Sequence, residues 1–139
     1  MSISEQISPL VGRCALAWFF LSAAYFIVQR WESTIAMLAH NGIPVAPLLL
    51  AGALLVMALG GISLVLGFHT RHGAMILFAF TIIVTALLHP YWRISAAGAR
   101  LADYEVFARN IAIAGGLLLL VGMGPGPFAL DNRGAKKGD

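Results

Sequence analysis

The sequence predicts an all-α integral membrane protein: a four-helix bundle with a short interfacial helix between the first two spans. Three observations carry this. Of 139 residues, 60% are hydrophobic and 11% charged, with a mean hydropathy of +0.86. A soluble domain has about 25% charged residues, so this chain has too little polar surface to cover a core in water. Second, Ala15–Val28, Ala46–Leu66, Ala74–Leu88 and Ile111–Met123 lack Asp, Glu, Lys, Arg and His altogether. Third, these runs are continuously apolar rather than alternating. That selects helices over a closed barrel, the other way to satisfy backbone groups in lipid.

The first span is expected at 10–29. Arg13 sits beside the apolar run as in a signal peptide, but Tyr25-Phe26-Ile27-Val28-Gln29 offers no small-x-small cleavage site, so the segment reads as retained. Arg13 reads as an anchor among headgroups and Cys14 as a small packing residue. Trp31, Ile35 and Leu38 then recur at i, i+4 and i+7, the pattern of a short amphipathic helix in the interface. Asn41-Gly42-Ile43-Pro44 breaks the chain, and Pro44 and Pro47 suit the first turn of a second span over 46–67.

Gly67 to Gly73 is a tight connection, so the second span and a third over 72–89 should be antiparallel neighbours. Pro90–Glu105, the longest connection, carries Tyr91, Trp92 and Tyr104, rings suited to headgroup level. A fourth span over 106–123 stops at Gly124-Pro125-Gly126-Pro127, where proline cannot continue the ladder. The tail 131–139 reads as mobile, and the whole as one transmembrane domain. Arg13, Arg71, Arg133, Lys136 and Lys137 share one side, and Arg30, Arg93, Arg100 and Arg109 the other. Positive charge favours the cytoplasm, which places both termini there.

One cysteine excludes a disulfide framework, a structural zinc site and a CxxC pair within the chain. A net charge of +3 without a basic stripe gives no support to nucleic-acid binding. Low charge with high hydrophobicity excludes disorder. A proton-coupled transporter needs an intramembrane titratable group, and the four charge-free cores hold none. The remaining partners are membrane lipid, other membrane or redox subunits, and further copies of the chain.

Ala53, Gly60 and Gly67, and likewise Ala108, Gly115 and Gly122, lie seven apart, nearly two turns, so each set shares a helix face. Small residues let helices approach closely in lipid, so both faces are expected to pack the bundle; the sharper alternative is space for a flat cofactor or quinone. On the third span Thr81, Thr85 and His89 form a stripe at i, i+4 and i+8. Arg109-Asn110 opens the fourth span, Asn110 being suited to a hydrogen bond with a neighbouring helix. These five residues, Thr81, Thr85, His89, Asn110 and Arg109, are the candidate cofactor-binding set, with a quinone as the cofactor they could hold. His69 and His72 belong to the terminus side; His40 and His89 share the other with Glu32, Asp103 and Glu105. No ligand spacing marks a metal site.

Gly12-Arg13, Gly42-Ile43-Pro44, Gly60-Gly61-x5-Gly67-Phe68-x-Thr70-Arg71, Arg109-Asn110-x4-Gly115-Gly116, Gly124-Pro125-Gly126 and Leu130-Asp131, in that order, resemble the DoxX family of small bacterial membrane proteins. The resemblance implies a four-helix bundle in a bacterial cytoplasmic (inner) membrane, associated with oxidoreductase systems handling quinones or thiols. The chain is then a subunit or accessory of such a system, or alternatively a non-catalytic assembly subunit packing through its small-residue faces. Many family members carry a lysine late in helix one and a glutamate before the glycine pair of helix two. Ile27 and Met57 occupy the matching positions here. Losing one partner of a buried ion pair costs roughly 3–5 kcal/mol, so replacement of both by apolar residues implies that Ile27 and Met57 face each other.

Overall fold

A computed structural model describes residues 1–134 and is all-helical over them. The helices are α1 (Ile3–Gln29), α2 (Trp31–His40), α3 (Ala46–Leu66), α4 (Thr70–Leu88) and α5 (Ala97–Met123), with 3-10 turns at Tyr91–Arg93 and Leu130–Asn132. Helices α1, α3, α4 and α5 are long and apolar enough to span a membrane.

Two helices begin earlier than their apolar runs. In α1 a capping box does this: Glu5 N–H donates to Ser2 Oγ at 3.3 Å, and Ser2 N–H to Glu5 Oε2 at 2.7 Å. These bonds satisfy donors that a helix start leaves orphaned, and the helix runs through Pro9. In α5 the expected connection 90–105 is helical from Ala97. Its sequence, Ala97-Gly98-Ala99-Arg100-Leu101, carries a charge that keeps it out of the hydrocarbon, but it contains no proline to stop a helix. Arg109 is therefore well inside a helix and not at its start.

α3 packs along α1 and α4, α4 along α5, and α1 meets α5 more lightly. Adjacent glycines permit the first arrangement. A Cβ on Gly60 would meet Leu77 of α4 at 2.6 Å, and one on Gly61 would meet Leu21 of α1 at 2.7 Å. Leucine side chains from two helices thus seat against the bare α3 backbone from two directions, the small-residue packing expected where lipid gives no hydrophobic drive. The core between them contains Ala17, Phe20, Ala24, Met57, Leu64, Leu77 and Leu117. Trp18, Leu55, Ile83 and Leu119 face outward, where lipid would cover them.

α2 is the interfacial helix: Leu38 is buried with Ala46 and Leu50, and Trp31 and Ile35 pack against them. The α5 small-residue face departs from expectation. Ala108, Gly115 and Gly122 are exposed, and nothing lies within 4 Å of where a Cβ on Gly115 or Gly122 would stand. The turn of helix that packs on α4 and α1 is instead Ala114, Leu117 and Leu120. Cys14 is likewise exposed rather than packed.

Candidate ligand groove and the closed end of the bundle

A cavity of about 680 Å³ opens among α1, α2, α3 and α4. Its walls are apolar: Phe26 and Ile27 from α1, Leu38 from α2, Met57 from α3, Phe80 and Leu87 from α4. Arg30 and Thr34 supply the polar groups at the α2 end. Thr34 Oγ1 donates to the carbonyl of Arg30 at 2.8 Å, leaving the exposed guanidinium as the donor at the mouth. A concave apolar site with a few convergent polar groups is the general form of a small-molecule site, usually about 300–1,000 Å³. Ile27 and Met57 both line it and share one core, so these side chains turn to the same side of the bundle. Gly52 widens the wall, since a Cβ there would meet nothing within 4 Å.

The residues singled out from sequence lie elsewhere, on α4, its C-cap and α5. Thr81 Oγ1 donates to Leu77 O at 2.7 Å, one turn back. Asn110 Nδ2 donates to Thr85 Oγ1 at 3.0 Å, joining the two helices. His89 Nδ1 lies 2.8 Å from Asp103 Oδ1; an ionised carboxylate can only accept, so Nδ1 carries the proton there. Beside it Tyr91 meets Trp92, Tyr104 and Phe107 edge to face, with centroids 5.1–5.3 Å apart. Arg109 is exposed and its guanidinium stands 5.5 Å from the Phe19 ring. The structure thus joins Thr85 to Asn110, Asn110 to Arg109, whose Nη2 donates to Asn110 Oδ1 at 3.5 Å, and His89 to Asp103, and leaves Thr81 apart. None of the five lines either described cavity. Among the described residues no three His, Cys, Asp or Glu side chains converge.

At the opposite end the chain closes on itself. Arg13 is 1% exposed and donates from Nη2 to Phe128 O at 2.7 Å. It is not an anchor among headgroups, because the segment after α5 folds back over it. Asp131, expected in a mobile tail, is held in that segment: its N–H donates to Gly67 O at 2.8 Å. Its carboxylate accepts from the N–H groups of His69 at 2.7 Å and Thr70 at 2.9 Å. His69, the N-cap of α4, has a left-handed backbone and no capping side chain of its own, so a residue 61 positions beyond Thr70 supplies the cap. Burial raises the Asp131 carboxyl, but hydrogen bonds from Thr70 and His69 outweigh that and hold it below the ordinary carboxylate value. The rest of the expected tail, 135–139, lies outside the described residues.

Residues 8–90 match the family model described as DoxX. The chain belongs to the DoxX family. It is 32% identical over 133 residues to the inner membrane protein YphA of Escherichia coli K12, covering 94% of this chain and 92% of that protein. It is also 29% identical to the inner membrane protein YqjF of the same organism, covering 96% of each. A surfeit locus protein 4 homolog of Drosophila melanogaster is 27% identical over 95% of this chain and 43% of its own length. No solved structure matches significantly. This is therefore a DoxX-family integral membrane protein. Four of the motifs that gave the resemblance turn out to be neighbours in space: Gly67 packs on Arg13 and Ala129, Arg71 lies over Gly124, and Asp131 binds Gly67, His69 and Thr70.

Sequence reasoning missed the groove mouth. Arg30 entered only as an orientation charge and Thr34 not at all, although both stand on the side of α2 that carries Leu38 toward the bundle. The signal was one of position: a lone cation placed one residue before an amphipathic helix.

Proposed function

We propose that this DoxX protein is a bacterial inner-membrane subunit or accessory of a redox system, quinone- or thiol-linked, with the α1–α4 groove as its ligand site. The carrying observation is the 680 Å³ apolar cavity with Arg30 at its mouth. A lipid-soluble quinone fits such a surface: its isoprenoid tail matches the apolar wall, and a ring carbonyl can accept from the guanidinium. Bound there, a quinone would supply two-electron carrier chemistry, while Arg30 orients its ring and the apolar wall excludes water. The excess of positive charge on the terminus side supports a cytoplasmic face for both termini, and on this reading the groove mouth belongs to the opposite face.

Purification in mild detergent, followed by solvent extraction and an absorption spectrum, tests this. The expected result is quinone retained by the wild type and depleted in Arg30→Ala. Protein free of quinone, together with no binding of added quinone, would refute it.

A second reading is favoured by a separate observation. Leu101, Glu105, Ala108, Ala112, Gly115, Leu119 and Gly122 follow each other at steps of three and four on α5, and all are exposed. Four small residues on one outward face suit the close approach of a helix from another membrane subunit. On this reading the protein is an assembly subunit. Gly115→Leu would leave the bundle folded, since a Cβ there meets nothing, and would abolish co-purification of the partner. Retention of the same partner by Gly115→Leu would exclude the face.

A further inference from the structure

A second cavity of about 380 Å³ lies between α3 and α4 at the terminus end, with Ser63, His69 and His72 at its rim. It adjoins the larger one. Val56 lines both. Along α4, His69, Gly73 and Ile76 line the smaller cavity and Phe80, Ile83 and Leu87 the larger. These positions advance by steps of four and three, a single face of one helix. Leu49, Gly52, Val56, Leu59 and Ser63 do the same along α3. Both cavities are therefore parts of one groove that follows the α3–α4 seam.

The groove is longer than a leaflet is deep. Eighteen residues separate His69 from Leu87, about 27 Å of helix at 1.5 Å per residue. The hydrocarbon core is about 30 Å thick, so an acyl chain anchored at one interface reaches only about half-way. Polar side chains stand at the two ends, Arg30 and Thr34 at one and Ser63, His69 and His72 at the other; the lining between them is apolar. Ser63 Oγ is itself satisfied, donating to Phe68 O at 2.6 Å. An uncharged linear chain that crosses the midplane fits this lining, whereas a headgroup-bearing lipid fits only one half of it.

We infer that the α3–α4 groove seats the polyisoprenoid tail of a quinone across both leaflets, with the ring at Arg30, so that the site selects for tail length. This rests on the reading of the larger cavity as a quinone site, and adds that the smaller one holds the far end of the tail. Val56 stands at the junction of the two halves.

The full chain in nanodiscs, titrated with a short-tailed and a long-tailed ubiquinone, tests both. The wild type is expected to bind the long-tailed form about tenfold more tightly, about 1.4 kcal/mol. Leu59→Trp, at a position 66% exposed and lining only the smaller cavity, should remove that advantage and leave short-tailed binding unchanged. Ile76→Trp, at a position 55% exposed and likewise lining only the smaller cavity, gives the same pattern should Leu59→Trp fail to fold. Equal affinity for the two tails in the wild type, or equal loss of both in the variants, overturns the tail seat and leaves the quinone reading standing. Binding of neither overturns both.

Discussion

Gly67 is where the sequence is most constrained, and Gly67→Ala measures how much. Its φ is +67°, a region that costs an L-residue about 1–2 kcal/mol. A Cβ there would also collide with the Arg13 guanidinium and stand 2.6 Å from Ala129 Cβ and 2.7 Å from Ala129 Cα. The Ala129 contact is partly backbone, and Arg13 is held by Phe128, so neither neighbour can swing away freely. Overpacking of this kind costs about 1–3 kcal/mol. The two contributions together predict a loss of about 2–5 kcal/mol, against a total stability of about 5–15 kcal/mol for a typical domain. Gly52→Ala is the internal control: it is helical, and its Cβ would meet nothing, so it should be neutral or gain up to about 1 kcal/mol. Unfolding by SDS in mixed micelles, followed by circular dichroism, reads both. Coincident midpoints for Gly67→Ala and Gly52→Ala would refute the clasp as described.

The Asp131 cap makes stability depend on acid. Its folded carboxyl titrates below the ordinary value, so its contribution is complete above the unfolded value near about 3.9 and is lost as pH falls through the folded one. Asp131→Asn should therefore lower the thermal midpoint at neutral pH, and the gap from wild type should close below about pH 4; a gap constant with pH would count against the cap. In the α4–α5 seam, Thr85→Val or Asn110→Leu alone strands a polar group and should cost about 0.6–1.7 kcal/mol, the range for hydrogen bonds between membrane helices. The double variant should cost less than the sum of the two. Strict additivity in the same SDS titration would show that the bond is energetically silent.

The spans and the interfacial helix were legible because lipid leaves the backbone so few choices. Once four apolar runs are seen, helices follow, and Trp31, Ile35 and Leu38 mark α2 by period alone. Helix ends were less legible: Ser2 with Glu5 is a recognisable capping box, but only Ile7 is apolar between it and Pro9. The face that a small residue presents was not legible. Gly60 and Gly115 head the same Gly-Gly pair in sequence, yet one meets Leu77 and the other meets nothing. Which face turns inward depends on the neighbours that α3 and α5 acquire in the bundle, and periodicity carries no such information. The polar stripe of Thr81, Thr85 and His89 points to a buried face, correctly for the two threonines, but buried polar groups in lipid serve seams as readily as sites.

Long-range closure was the least legible feature, and it bears on how the groove could admit a ligand. Arg13, the Gly67–Arg71 turn and the Gly124–Asp131 segment belong to distant parts of the chain, yet their contacts tie α1, α3, α4 and the exit of α5 together at the terminus end. At the other end the corresponding ties are the His89–Asp103 pair and Asn110–Thr85, both between α4 and α5. Among the described residues no hydrogen bond or ion pair joins α1 to α4 there. α2 bridges that gap through apolar contacts of Trp31, Ile35 and Leu38, which can slide without stranding a hydrogen bond. Entry should therefore occur beneath α2. A cross-link pinning α2 to α3 should slow quinone uptake, whereas one pinning Pro9 to Gly126, already in close packing, should leave the rate unchanged; equal slowing by both would place the entrance elsewhere.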